Sequence, residues 1–250
     1  MPQNPNNLKI GVKIGDRTTP EYVNEIIGSV DFLEIYAKVG YDFSFLANVQ
    51  KPIAIHVPHF ASKVNFANPK RADANEVALS HAVKLADNFG ATKIIFHPEL
   101  KEDENCSLDV LDSFVKSHYD PRLYIENMPF SSEGFEHFAS EPAEIRSLMQ
   151  KLNTRFCLDF AHALEYLEWK GVDKELIHDY LALKPNHFHL TDTDLSQVMN
   201  ADYNEEHLNF GEGNVDLAWC RDKLPQNAWV TLETPQNAKK QLEEITFLRS

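Results

Sequence analysis

The chain has 250 residues, 43% hydrophobic and 25% charged, and its 38 Asp and Glu against 24 Lys and Arg leave a formal charge of -14. This is an ordinary globular composition, long enough to bury one sizeable core, and the acidic balance argues against a broad nucleic-acid surface while leaving room for a local basic groove. The longest apolar runs are too short to span a bilayer, and residues 1–7 are polar rather than a leader. Three widely spaced cysteines (Cys106, Cys157, Cys220) lack any CxxC, which argues against a disulfide framework or a zinc ribbon. The expectation is a cytoplasmic protein with no membrane partner.

Taken in chain order, short β-branched or aromatic runs alternate with amphipathic stretches. Residues 8–14 read as a strand, and 19–28 as a helix opened by Thr-Pro-Glu and closed by Gly28. Residues 31–36 and 52–56 read as strands, followed by the longest helix candidate, 73–89, which stops at Gly90. Strand 92–97, helix 108–116, strand 122–126, helix 141–151, strand 155–159, helix 174–183, strand 187–190, strand 229–233 and helix 236–247 complete the order. Eight short apolar strands interleaved with helices predict a parallel sheet covered on both faces, either closed or open. No GxGxxG or GxxxxGK[ST] follows the first strand, so a single (β/α)8 TIM barrel over residues 1–250 is preferred to an open doubly wound sheet.

Ionisable residues fall at the end of strand after strand: His56, His97, Glu126, Asp159, His189 and Glu233. A barrel gathers its C-terminal strand ends at one mouth, where active sites of this fold lie. All six are of types that ligate divalent metals. Crowded carboxylates resist ionising unless a cation compensates, so the joint pattern predicts a metal centre. Asp159-Phe-Ala-His162 and Glu205-Glu-His207 place further carboxylate and imidazole pairs after the sixth and seventh strands.

The segments Phe96-His97-Pro98, Ile125-Glu126-Asn127, Leu158-Asp159-Phe160-Ala161-His162, His189-Leu190-Thr191-Asp192, His207 to Asn214 and Leu232-Glu233-Thr234-Pro235 resemble the xylose isomerase-like TIM barrel superfamily, and within it the endonuclease IV family. That resemblance implies up to three zinc ions. His97 and Glu126 would hold the first. Glu126, Asp159, His189 and Glu233 would hold the second, with Glu126 bridging. His162, Glu205 and His207 would hold the third, Glu205 standing where the family has Asp. The family's ninth ligand, a His in Gly-His-Pro, corresponds here to Asn68 in Ala67-Asn68-Pro69, which leaves the first site short unless His56 or His59 substitutes. The implied reaction is hydrolysis of DNA 5′ to an abasic site by metal-activated water. Lys38, Tyr41, Lys63, Phe66, Lys70 and Arg71 would then face the duplex.

A second reading within the superfamily is a single-metal sugar isomerase or epimerase. Glu126, Asp159, His189 and Glu233 would hold one Zn2+ or Mn2+, and Glu126 and Glu233 would move a proton at carbon. Glu34 in Asp31-Phe-Leu-Glu34-Ile, with His56 and His59 in His56-Val-Pro-His59-Phe, resembles substrate-binding segments of that branch. His162 and His207 would then bind a small sugar or sugar phosphate. A third reading is a barrel that binds metal or ligand without turnover. His187, two residues deeper than His189 on the same strand face, reads as a packed, hydrogen-bonded His. His81, His118, His137 and His178 read as surface or structural, and Trp169, Trp219 and Trp229 as packing residues. Gly211-Glu-Gly213 reads as a tight turn supporting His207.

Overall fold

The computed structural model of the chain describes residues 7–132, 134–200 and 207–250. The strands are β1 (Lys9–Ile14), β2 (Phe32–Tyr36), β3 (Ile53–His56), β4 (Ile94–Phe96), β5 (Leu123–Glu126), β6 (Ser131–Ser132), β7 (Phe135–Glu136), β8 (Arg155–Asp159), β9 (His187–Leu190) and β10 (Trp229–Leu232). Eight of them close into a parallel barrel in the order β1-β10-β9-β8-β5-β4-β3-β2. The remaining two, β6 and β7, form a small antiparallel hairpin in the loop after β5. The eight predicted strands are therefore the eight barrel strands, and the (β/α)8 architecture holds.

The helices are α1 (Pro20–Ile26), α2 (Ala72–Phe89), α3 (Leu108–Ser117), α4 (Pro142–Leu152), α5 (Phe160–Lys170), α6 (Ile177–Leu181), α7 (Leu217–Lys223) and α8 (Ala238–Leu248). Two of these, α5 and α7, lie outside the predicted helices. Residues 160–167 of α5 are all buried, so the helix shows no polar face for a periodicity to reveal. It also follows β8 without a loop: Asp159 ends the strand and caps the helix, its Oδ1 accepting from His162 N at 2.8 Å. The seven-residue α7 is too short to carry a clear period. Between β2 and β3 the described backbone makes only a 3-10 turn, Ser44–Leu46. No helix among the described residues is long and apolar enough to cross a membrane, and all three cysteines are free.

Alternation along the strands builds the site. One set of residues (Ile10, Val12, Leu33, Ile35, Ile53, Ile55, Ile125, Leu158, Phe188, Val230 and their like) packs outward in the core shared with the helices. The intervening residues face the barrel axis. Phe32, Ala54, Ile95, Tyr124 and Cys157 form a separate inner apolar cluster with Trp229 against it. Gly11 belongs to this interior, since a Cβ there would lie 2.5 Å from the Phe32 ring. Above this plug the same inward positions change character to Lys13, Glu34, His56, Glu126, Asp159, His189 and Thr231. A barrel interior is ordinarily filled by branched apolar side chains. Replacing its upper layer with ionisable groups sacrifices packing and requires a compensating function.

Candidate metal centre

Glu126 sits at the focus of this layer, 1% exposed. Its Oε2 lies 3.2 Å from His56 Nε2 and 3.2 Å from His97 Nε2. Its Oε1 lies 3.1 Å from His189 Nδ1 and 3.5 Å from His162 Nδ1. One carboxylate thus presents each oxygen to a different set of imidazoles. Burial pushes the Glu126 carboxyl up, but the His189 and His97 rings outweigh it and hold the group well below the usual carboxylate range.

The imidazoles are aimed by what their other nitrogens touch. His56 Nδ1 is 2.9 Å from the Val57 carbonyl oxygen, which can only accept, so Nδ1 carries the proton. That leaves Nε2 facing Glu126 Oε2 at 3.2 Å, where a cation could lie between them. His189 Nε2 donates to Glu34 at 3.1–3.2 Å, which leaves Nδ1 facing Glu126 and Glu233 Oε1, the latter at 2.8 Å. A carboxylate behind an imidazole whose far nitrogen faces other ligands is the usual support of a metal-binding His. Burial opposes a charge on His189, yet Cys157 and the surrounding carboxylates Glu126, Glu233 and Glu34 raise its pKa well above the ordinary value. Burial lowers His97 to about 4, so that ring is neutral at pH 7.

Four sets of donor atoms converge among the described residues, each within 4.8 Å mutually: His56, His97 and Glu126; Glu126, Asp159 and His189; Glu34, His56, His189 and Glu233; and Cys157, His187 and His189. Glu233 extends the second through its contact with His189. Asp159 Oδ2 is buried without a hydrogen-bond partner, while Glu126 Oε1 and His189 Nδ1 have ion-pair contacts within the layer but no well-aligned hydrogen bond. Burial raises the Asp159 carboxyl to about 6, with Glu126 and Glu233 pushing it further up against the pull of His162. Unsatisfied, mutually repelling oxygens and an aimed imidazole are a donor set that fits divalent cations. These buried clusters can hold metal; Glu126 links the first two sets, and His189 is common to three of the four.

The outer trio is placed only in part. Glu205 lies outside the described residues. His162 is buried and its Nδ1 donates to the Asn127 carbonyl at 2.8 Å. His207 Nδ1 donates to the Glu233 carbonyl at 3.0 Å and lies 3.8 Å from Glu233 Oε2. Each is therefore oriented through Nδ1 by a backbone carbonyl beside a centre residue. The loop carrying His207 is fastened by Asp192, whose carboxylate accepts from Gly211 N, Gly213 N and Val215 N at 2.8–3.0 Å. Gly213 is required there, since a Cβ would meet Thr193 O at 2.3 Å. The expected tight turn is thus an anchor built around Asp192.

Several expectations are corrected. Asn68 does not reach the mouth: its Oδ1 accepts from Lys70 N and its Nδ2 donates to Glu102, 1% exposed in a cap of the turn Pro69–Arg71. Arg71 pairs with the same Glu102, and neither residue lines the cleft at the mouth. Phe66 is buried between Phe96 and Phe114 and is not available to fill a gap in a duplex. Glu34 is fully buried beneath the centre, where it accepts from Thr231 Oγ1 at 2.7 Å and His187 Nε2 at 2.8 Å as well as from His189. It supports the imidazoles rather than contacting substrate. His56, also expected among substrate contacts, is 0% exposed and belongs to the donor set itself. His187 is the packed, hydrogen-bonded residue expected, and burial lowers it to about 4. Lys38 and His59 do line the mouth.

Sequence reasoning overlooked Lys13, the one cation that reaches into the carboxylate layer from β1. Its Nζ is 2.7 Å from Glu233 Oε1. Burial disfavours its charge, but Glu233, Glu34 and Glu126 outweigh burial and raise its pKa. The signal was available: Lys13 is the only ionisable residue between Ile10 and Ile14, at an inward position of an otherwise apolar strand. Asn127 was overlooked as well. Its Nδ2 donates to Asp159 O at 2.9 Å and its Oδ1 accepts from Asp159 N at 2.8 Å, so it ties the ends of β5 and β8 together. That bracket sets the separation of Glu126 and Asp159.

The family described as xylose isomerase-like TIM barrel matches residues 46–250. No curated protein matches the chain. Among solved structures, a D-tagatose 3-epimerase-like protein is similar with a TM-score of 0.71 and 19% identity, over 96% of this chain and 98% of that one. Endonuclease IV from Thermus thermophilus is similar with a TM-score of 0.70 and 16% identity, over 96% and 97%. The TTHB071 protein from the same organism, from a crystal soaked with ZnCl2, is similar with a TM-score of 0.66 and 19% identity, over 96% and 97%. At such identities these likenesses speak to the fold alone. The family match takes in most of the chain, including His56, His97, Glu126, Asp159, His189 and Glu233: the chain belongs to the xylose isomerase-like TIM barrels.

Proposed function

We propose that this chain is a divalent-metal-dependent phosphodiester hydrolase with the chemistry of the endonuclease IV branch, and that His56 supplies the ligand missing at Asn68. The observation that carries this reading is the two-sided use of Glu126, with Oε2 toward His56 and His97 and Oε1 toward His189. A one-metal isomerase needs no metal ligands on the His56 and His97 side, where such residues would face substrate instead. Zn2+ suits this mixture of imidazole and carboxylate donors, and Mn2+ is the second choice. When bound, divalent ions supply Lewis-acid polarisation of a phosphoryl oxygen and an activated water at neutral pH.

The chain's own residues set the stage for that chemistry. Glu126 joins the first two donor sets, and Glu34 fixes the tautomer of His189 through Nε2. Lys13 holds Glu233 Oε1 and offsets the negative charge of the layer where a phosphate would approach. Asn127 keeps Asp159 in register with Glu126. An abasic-site duplex is the first substrate to test in Zn2+ or Mn2+, with Glu126→Ala as control. Incision lost in that variant supports the reading; an uncut duplex together with ketose turnover overturns it.

A single-metal sugar isomerase or epimerase is the second reading. The pairing of Lys70 with Asp103 and of Arg71 with Glu102 favours it, because it occupies cations that a duplex would require. In that reading Glu126 and Glu233 exchange a proton with substrate carbon.

A further inference from the structure

Beside the metal centre lies a cleft of about 990 Å³, bounded by the ends of β1 and β2, the turn after β3, and the segment from Glu233 to Gln236. That volume lies within the range of small-molecule sites. Its floor is the Lys13–Glu233 pair. Its rim carries Arg17, Lys38, Tyr36 and Ser62, with Asp16 as a carboxylate beside them. Lys38 Nζ lies 3.4 Å from Ser62 Oγ, and Ser62 Oγ shares a hydrogen bond of 2.9 Å with Tyr36 Oη. Among the described residues neither Arg17 nor Lys38 is engaged in an ion pair, unlike Lys70 and Arg71 farther along the chain.

The rim is mechanically tied to the centre. His59 packs edge-on against Tyr36 at 5.2 Å and stacks on His97 at 5.2 Å, and His97 is 3.2 Å from Glu126. The Tyr36, His59 and His97 rings thus form a continuous contact from the Lys38–Ser62 rim to Glu126. The chain's formal charge of -14 acts against anions at long range. For a group already in the cleft, charges beyond roughly 8 Å are screened at physiological salt and the nearest cations dominate.

We propose that this cleft is a subsite for the non-reacting anionic group of a small substrate, a phosphate ester or a carboxylate on a sugar-sized molecule, held by Arg17, Lys38 and Ser62 while the reacting end lies at the metal centre. The proposal rests on the reading of that centre as a metal-dependent hydrolase, and it narrows the substrate to a phosphodiester that carries a second, non-reacting anionic group. One hydroxyl of the hydrogen-bonded Ser62–Tyr36 pair is left to donate, Arg17 and Lys38 supply the charge, and Lys13 marks the boundary with the reacting end.

The test is calorimetric titration of the full chain, stripped of metal by chelator, with inorganic phosphate and separately with acetate. Removing the ions leaves the cleft as the anion site under test, so a failed metal count would sink the catalytic reading without altering this result. Saturable binding is expected, weakened about tenfold or more in Arg17→Met and in Lys38→Met, and unchanged in Lys116→Met, whose side chain pairs with Asp112 on α3. Tighter phosphate binding assigns a phosphate ester, and tighter acetate binding assigns a sugar acid; both uphold the subsite. Absence of saturable binding to the wild type, or equal binding by the Arg17 and Lys38 variants, overturns it. Circular-dichroism melts of both variants, expected to match the wild type, exclude misfolding as the cause of weakened binding.

Discussion

Asp159→Asn separates what the centre costs the fold from what it does. Asp159 is fully buried, its Oδ2 has no partner, and burial raises its carboxyl from 3.8 to about 6. A raised carboxyl binds its proton more tightly in the folded state than in the unfolded one. The fold therefore loses stability as pH rises from about 3.8 to about 6, and above that window the full cost is present. At about 1.4 kcal/mol per pH unit the gap corresponds to about 3 kcal/mol at pH 7. Asn is isosteric, cannot ionise, and retains an oxygen to accept from His162 N. In chelator at pH 7 the variant should thus be more stable than the wild type by up to about 3 kcal/mol, and the two should converge near pH 4. With Zn2+ at about a thousand times its Kd, the wild type should gain about 4 kcal/mol per site, and the variant should gain less because the second site has lost a charged ligand. Urea denaturation at pH 4 and pH 7, with chelator and with Zn2+, reads all of these terms. A variant less stable than the wild type in chelator at pH 7 would refute the reasoning, since Asp159 would then be a satisfied structural carboxylate.

Three further outcomes follow from the same geometry. Glu34→Gln should weaken metal binding by about 10–100-fold, because Gln offers one acceptor where three donors converge; competition with a chromophoric chelator measures it, and unchanged affinity would remove Glu34 from its supporting role. Metal uptake should release a proton from His189, whose raised pKa keeps it charged without metal, so affinity should fall about tenfold per unit as pH drops below that pKa and more steeply below about 6, where Asp159 also protonates. Calorimetry in buffers of different ionisation enthalpy counts those protons, and a count of zero at pH 7 would contradict a charged His189. His56→Ala should lower the metal content by one ion per chain while Asn68→Ala leaves it unchanged; the reverse pattern would restore Asn68 as the ligand.

The barrel was legible because each strand is a short apolar run between helix-boundary signals, and the donors were legible because they end those strands. His97, Glu126, Asp159, His189 and Glu233 could be read one strand at a time. The roles of Glu34, Asn68 and Arg71 could not, since each is decided by a partner far away in sequence: His187 and Thr231 for Glu34, Glu102 for the other two. Resemblance set Asn68 at a metal-ligand position and Arg71 beside the duplex, while long-range pairing ties both to Glu102. Lys13 shows the opposite failure. An inward lysine in an apolar strand is a visible anomaly, but its meaning appears only when barrel closure brings β1 beside β10 and sets Lys13 against Glu233. The helix α5 was missed because burial on every side erases the pattern by which helices are read.

The central claim is that Glu126 joins two ion sites. Elemental analysis of the purified chain, loaded with Zn2+ and freed of excess, tests it most directly. Two or more ions per chain are expected in the wild type, with both of the Glu126-linked ions depleted in Glu126→Gln. A single ion in the wild type, retained by His56→Ala and His97→Ala, would contradict the account and leave a one-metal isomerase site at Asp159, His189 and Glu233.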